Sequence, residues 1–381
     1  MEIDNYESRR DRIVECADHS AEVQFEESPP PVGTAIRVGN DDETLCGRLA
    51  EHLGNRRAEV IFSGTPDDVQ PGDPVEDTGR PAAFRPPDET GHMRLTVDSL
   101  TPESEDSIPF EWTRPDFADL AASRPAVAVG DELLDIFSPI AAGGLNLVVD
   151  GRPSESTYPE LTARLEESLG ADVTISVVGP EATPPDWANF IVDAPADDWG
   201  AAMALRAGVC LAAHARGRGR SVFFAGRLPA PRGASPTEGR PSESQRATGA
   251  SMQSLINRIG DGLLSVDGTS ITSLLQLPVT AELEGLESII ETLGIGESDA
   301  QIVIGNDGCY RPERSTSDAD RDAPARQHET EKRRTLRRAA ELQQKRAIWG
   351  DDELDPEELD IIRRAESWRR PLFCDTVPPQ S

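Results

Sequence analysis

LNLVVDGRPSEST, residues 145–157, joins an apolar run to a turn-rich octet, and the entry to a helix follows it. The run 145–149 reads as a strand. Residues 159–169 read as a helix, because Leu161, Leu165 and Leu169 recur every fourth position. Strand, loop and helix in this order form the setting of a phosphate-binding loop, G-x-x-x-x-G-K-[ST], whose glycines and lysine cradle phosphate oxygens. Laid on that pattern, Asp150 stands at the first glycine, Glu155 at the second and Ser156 at the lysine; only Thr157 fits. The setting is present and the consensus is absent. Taken alone, the octet reads as a solvated turn.

Working outward, strands alternate with helices on both sides. Residues 173–178 and 221–224 read as strands, 197–213 as a helix entered through Asp197 and Asp198. The segments 251–259, 271–277, 282–293 and 301–304 continue the alternation. This texture predicts a mostly parallel sheet covered on both faces. Residues 10–82 differ. Short apolar runs (RIVEC, AEVQF, GTAIRV, LCGRL, AEVIFSG) are broken by Gly, Pro and Asp and end in the turn-rich QPGDPVEDTGRP, the pattern of a small β-barrel. Residues 83–128 are polar and proline-rich with little periodicity.

Two stretches interrupt the alternation. Residues 229–249 are rich in Pro, Gly and Ser and read as a disordered loop, and 311–330 as a charged linker. Beyond them 331–381 reads as helical. Residues 331–346 are strongly basic (Lys332, Arg333, Arg334, Arg337, Arg338, Lys345, Arg346). Asp355-Pro356-Glu357-Glu358 then opens a helix with an N-cap, a first-position proline and first-turn acids. Its apolar face carries Leu359, Ile362, Ala365 and Trp368. The expected fold class is multidomain α/β: a barrel over 1–82, an α/β domain over 83–310, the linker, and a helical C-terminal domain.

The chain has 381 residues and a formal charge of −31, from 69 acidic against 38 basic residues; Lys332 and Lys345 are the only lysines. Dense acid with almost no lysine on a periodic, 37% hydrophobic chain reads as a protein of a cytoplasm with very high salt. There the screening length is about 3 Å at 1 M and self-repulsion is tolerable. Such acidity argues against a nucleic-acid groove. The five cysteines (16, 46, 210, 309, 374) are far apart, which suits reduced thiols and gives no metal signature. His92 and His214 are lone residues outside any H-E-x-x-H. The opening MEIDNYESRRD does not read as a signal peptide. The longest apolar run, 199–213, is interrupted by Arg206 and falls short of a membrane span.

Five stretches, taken in order, resemble the beta subunit of F-type, rotary ATP synthases. LAEHLGNRRAEVIFSGTPDDVQPGDPVEDTGRP (49–81) is similar to the end of that family's N-terminal barrel. VGDELLDIFSPIAAGG (129–144) resembles the approach to the phosphate loop, with Asp135, Pro139, Gly143 and Gly144 in register. VVGPEATPPDW (177–187) resembles the strand and proline turn that follow. TGASMQSLINRI and GTSITSLLQLPV (248–279) resemble a helix and the next strand. WGDDELDPEELDIIRRAESWRRPL (349–372) resembles the acidic lever motif and closing helix. The resemblance implies a RecA-like nucleotide domain between barrel and helices, alternating with an alpha-like subunit in a hexameric ring.

It also implies chemistry that this chain lacks. ATP hydrolysis needs donors and positive charge around the phosphates, Mg²⁺ and a positioned water. The degenerate loop offers Asp150, Gly151, Arg152, Ser156 and Thr157. Ser156 removes the cation, Pro153 an N–H, and Asp150 and Glu155 set anions near anions, partly offset by Arg152. An acid expected after strand 221–224 is missing through Thr237, with Arg227 near its place. The family's catalytic glutamate falls in a segment this chain lacks, since helix 159–169 runs directly into Val173; Glu181 lies in the wrong motif to replace it. The resemblance therefore implies a non-catalytic paralogue with no cofactor, or at most weak ATP/ADP or Mg²⁺ binding. The acidic lever (Asp351, Asp352, Glu353, Leu354, Asp355, Glu357, Glu358) would contact a central-stalk subunit, and a membrane would be met only through the complex. Two alternatives stay open: a working subunit of an ion-translocating F-type or N-type ATPase, and a regulatory or scaffold protein that kept the fold and left the ring.

Overall fold

The computed structural model describes residues 11–39, 44–87, 90–151, 157–180, 182–228, 259–278, 298–305, 307–350 and 353–373. The first sheet uses β1 (Arg12–Cys16), β2 (Ser20–Gln24), β3 (Thr34–Val38), β4 (Leu45–Gly54), β5 (Arg57–Ile61) and β6 (Val75–Phe84). All its pairings are antiparallel, in the order β1-β2-β5-β4-β3-β6. Alternation makes the core: Ala21 and Val23 of β2 pack with Ala58 and Val60 of β5 and Ile36 of β3. Between β4 and β5, Asn55 and Arg56 both take positive φ, as a two-residue I′ hairpin turn requires. The two ends of the sheet meet. Ile13 N donates to Asp73 O and Val75 N to Asp11 O, both at 3.0 Å, which ties β1 to the entry of β6.

The segment 70–81, expected as a turn, is largely strand β6. Its turn residues make an irregularity inside the strand: Gly79 takes φ +64°, its N–H donates to Asp77 Oδ1 at 2.8 Å, and the register with β3 shifts there. The boundary drawn after residue 82 thus falls within β6. Residues 83–128, which showed little periodicity, supply strands to both sheets. β7 (Gly91–Arg94) joins the second sheet, while β8 (Thr101–Pro102) and β9 (Ile108–Pro109) return to β6.

A two-residue pair, β10 (Ala126–Val127) with β11 (Ile140–Ala141), brackets helix α1 (Glu132–Phe137). The second sheet contains β12 (Leu145–Asp150), β13 (Val173–Val178), β14 (Phe190–Asp193), β15 (Val222–Arg227), β16 (Ile271–Pro278), β17 (Ala300–Ile304) and β18 (Thr316–Ser317). Its order is β18-β17-β12-β16-β15-β13-β14-β7, parallel throughout except β17 with β18. The protein is mixed α/β with a mostly parallel eight-stranded sheet, as the alternation predicted. Every residue of β12, β13 and β16 is buried, the signature of a sheet covered on both faces. One face carries Leu147 and Val149 and packs on α3 (Asp198–Gly217) and α4 (Ile259–Gly262). The other carries Val148 and packs on α1, α2 (Tyr158–Leu169), α5 (Ala323–Trp349) and α6 (Pro356–Ser367). Asp197 caps α3 by accepting from Gly200 N. The expected helix 282–293, most of 251–259 and the loop 229–249 lie outside the described residues.

At the amino end of β12 the Ala-Ala-Gly-Gly turn is set by contact. Gly143 takes φ +71°, and a Cβ on Gly144 would stand 2.8 Å from Asp299 Oδ2 and 2.9 Å from Ala141 Cβ. Buried Asn146 accepts from Ala141 N and donates to the carbonyls of Ala141, Gly144 and Ser273. Gly144→Ala is expected to destabilise by about 1–3 kcal/mol through overpacking, read as a lower urea midpoint at unchanged slope.

The stretch expected as a charged linker, 311–330, is instead packed. It holds β18 and the start of α5, which Asp322 caps by accepting from Ala325 N. Its charges are used locally: Arg321 donates to Ile136 O and pairs with Glu329 at 2.9 Å. Just before it, buried Tyr310 shares a 2.7 Å hydrogen bond with Ser138 Oγ. α5 and α6 form a hairpin whose inner faces bury Leu336, Ala339, Leu342, Ile362 and Ala365.

Candidate functional site: the carboxyl edge of the parallel sheet

In an open parallel sheet, ligands bind beyond the carboxyl ends of the strands, where connections leave adjacent strands in opposite directions. Here that place is β12 beside β16. The chain leaves β12 for β13 on one side, and leaves β16 for β17 on the other. Asp150 ends β12 and is fully buried; Gln276, from the penultimate turn of pleat in β16, donates Nε2–H to Asp150 Oδ2 at 2.8 Å. Gly151 extends the ladder by donating its N–H to Ile304 O of β17 at 3.0 Å. Thr157 caps α2 in a right-handed helical conformation without a side-chain cap bond, and its buried Oγ1 has no hydrogen-bond partner among the described residues. Arg152 and Ser156, with Glu155 between Gly151 and Thr157, lie outside the described residues, as does Glu181.

Tyr158 opens α2 and reaches across the sheet. Its hydroxyl lies 2.7 Å from Leu274 O and 3.1 Å from Gly226 O, and burial pushes its phenol well above the ordinary tyrosine range. The ring ties α2 to β15 and β16. Strand β15 ends Ala225-Gly226-Arg227, with Arg227 exposed and no carboxylate. α2 ends at a left-handed Gly170 (φ +55°), and β13 starts at Val173. The connection is as short as the sequence indicated.

Among the described residues, buried Asp150 weighs against a magnesium nucleotide at this edge. A buried carboxylate stands at the strand end where phosphate would approach, at a cost on the order of 4 kcal/mol for two unit charges 4 Å apart at an effective dielectric of 20. One feature does fit: the orphaned Thr157 Oγ1 is the kind of oxygen a metal-bound phosphate site uses. Among the described residues no group of three or more His, Cys, Asp or Glu side chains is placed to hold a metal ion.

The acidic lever divides. Asp355 caps α6 by accepting from Glu358 N at 2.8 Å, and Glu358 reaches back to Asp355 N while pairing with Arg338 and Lys345. Leu354 is buried with Leu342 and Ile362. Glu353 and Glu357 are exposed. Asp351 and Asp352 lie outside the described residues. Capping therefore commits two of the acids to the fold and leaves two described ones to solvent. The basic stretch of α5 is also partly structural: Arg333 donates to Phe137 O and Ser315 O and pairs with Glu329.

Sequence reasoning missed Gln276 and Tyr158. The signal for the first was a lone amide inside ITSLLQLP, a run otherwise suited to a buried strand. No protein-family model matches the chain. No helix among the described residues is long and apolar enough to cross a membrane.

Proposed function

We propose that this protein is a non-catalytic, beta-subunit-like member of a rotary ATPase, a pseudoenzyme that acts by assembly with an alpha-like subunit and a central-stalk subunit in a high-salt cytoplasm. The observation that carries the reading is the buried Asp150–Gln276 pair at the carboxyl edge of the parallel sheet. It occupies the switch point that a RecA-like nucleotide domain would use, and fills it with an anion. The order of parts supports the same reading: an antiparallel sheet whose ends meet, as in a small barrel, then a parallel α/β sheet, then a helical hairpin. Exposed Glu353 and Glu357 are the described acids left for a stalk contact.

Fluorescent ATP with Mg²⁺, titrated into the purified protein in multimolar KCl, is expected to give no binding up to millimolar nucleotide. Micromolar binding would sink the proposal. The orphaned Thr157 Oγ1 favours the rival reading, a working ion-translocating ATPase subunit; Mg²⁺-dependent turnover lost in Thr157→Val would establish it. Co-purification at the mass of a mixed ring with an alpha-like subunit is the positive half of the test.

A further inference from the structure

α3 runs into β15 through Arg216-Gly217-Arg218-Gly219-Arg220, at the amino edge of the parallel sheet and so opposite to Asp150. Three guanidiniums in five residues stand apart on a chain of formal charge −31. Among the described residues no carboxylate comes within ion-pair distance of any of them. Arg216 is buried and donates Nη1–H to the Gly262 and Leu264 carbonyls. Arg218 and Arg220 are exposed. Arg220 donates Nη2–H to the Asp172 carbonyl at 3.0 Å, while the Asp172 carboxylate accepts from Ser221 N and Ser221 Oγ, both at 2.8 Å. Those Ser221 bonds, and then the Arg220 charge, hold that carboxylate below its usual range. The Arg218 guanidinium has no hydrogen-bond or ion-pair partner among the described residues. Its charge is felt nearby: burial, and then Arg218, hold the His214 imidazole below the ordinary histidine range.

The exposed arginines are not needed to close the helix. Its last carbonyls are met by backbone: His214 O and Ala215 O accept from Arg218 N, Ala215 O also from Arg220 N, and Arg216 O from Gly219 N. Packing does not ask for both glycines either. Gly219 takes φ +76°, where a side chain is strained, but Gly217 ends α3 without a positive φ, and a Cβ there would meet nothing within 4 Å. Glycine in a helix is less favourable than alanine, so Gly217 costs stability with no packing reason inside the chain. What the two glycines leave is bare, open backbone beside exposed guanidiniums, room for another chain to approach closely. We propose that this turn docks an acidic segment of a protein partner, its carboxylates pairing with Arg218 and Arg220 and its backbone lying over Gly217 and Gly219. The planar guanidinium fork matches a carboxylate bidentately. A nucleic acid or an anionic membrane spreads its charge far beyond one turn and would meet the rest of a strongly acidic surface; a short acidic segment touches the turn alone. This inference is independent of the proposed function.

The test titrates the full chain into a fluorescently labelled peptide of alternating Asp and Glu, across a KCl series in which circular dichroism shows the chain folded. The expected result is saturable binding that weakens as KCl rises. Arg218→Ala with Arg220→Ala is expected to weaken it about tenfold, two exposed pairs at the upper end of their usual range. Arg334→Ala with Arg337→Ala, which removes exposed arginines elsewhere, should leave it unchanged. Gly217→Ala keeps every charge and should weaken binding with no fall in thermal midpoint, a readout that loss of fold cannot mimic. Absence of peptide binding at every KCl concentration overturns the proposal. So does binding indifferent to Arg218 and Arg220, or to Gly217. Tighter binding of a single-stranded oligonucleotide or of anionic lipid vesicles to the same arginines would also overturn it, as would self-association of the chain that the Arg218/Arg220 double variant abolishes.

Discussion

Asp131→Ala is expected to lower the unfolding free energy by about 3–5 kcal/mol, the cost of removing one partner from a buried ion pair. Asp131 is buried at the start of α1 and every acceptor position is used. Oδ1 accepts from Leu133 N and Leu134 N at 3.0 and 3.2 Å, which caps the helix. Arg370 approaches both oxygens, at 3.1 and 3.4 Å, and Phe373 N donates to Oδ2 at 2.9 Å. One carboxylate thus fastens the chain after α6 to the helix that precedes β12. Alanine would strand the Arg370 guanidinium, uncap α1 and release Phe373, whose ring lies 4.6 Å below the Arg164 guanidinium. Urea unfolding measures the loss, and limited proteolysis should show earlier cleavage after α6. Asp131→Asn keeps an acceptor for the cap and should lose less. A cycle with Arg370→Met would isolate the pair, and a coupling near zero would refute the latch.

Glu111→Gln is the second large effect, expected at about 2–3 kcal/mol; partial exposure of Glu111 and salt screening place it below the buried-pair range. Two guanidiniums share this carboxylate. Arg48 comes from β4 and donates to Oε2; Arg206 comes from α3 and lies 2.9 Å from Oε1. Both are buried, and Arg206 also donates to Phe110 O and stacks 4.6 Å from the Trp112 ring. Glutamine would leave two buried cations facing one another. The pH dependence has a definite sign. Burial raises the Glu111 carboxyl, but Arg206 and Arg48 outweigh it and hold it below the usual carboxylate range. A depressed folded value contributes stability that is present above the unfolded value and lost as pH falls through the folded one. The gap between wild type and Glu111→Gln should therefore be full at neutral pH and close in acid, below about pH 4. A gap that persists there would show that shape, not charge, accounts for the loss.

The two networks show where local reading stops. Asp131 to Arg370 spans 239 positions, and Arg206 to Phe110 spans 96. Neither leaves a periodic trace, because an ion pair needs proximity in space and constrains no spacing along the chain. Periodicity placed β12, β13, β16 and β17 within a residue of their bounds and β15 within three, since strands buried on both faces must be nearly all apolar; the edge strands β7, β14 and β18 went unread. It failed at 70–81 and 311–330. Glycine, aspartate and arginine look like loop residues there until a bulge or a local ion pair shows where they are used.

By itself, the sequence determined the alternation of strands and helices, the cap of the closing helix, and the mismatch of residues 150–157 with the phosphate-loop pattern. Each of these is a local fact of hydrophobic period, backbone conformation or residue type. Only the tertiary structure decided that Asp150 would be buried on Gln276 of a neighbouring strand. Only it showed Tyr158 bridging two strands and two of the four described lever acids spent on capping. Those outcomes depend on strand order, and strand order is set by which faces pack together, a choice made by the whole chain at once.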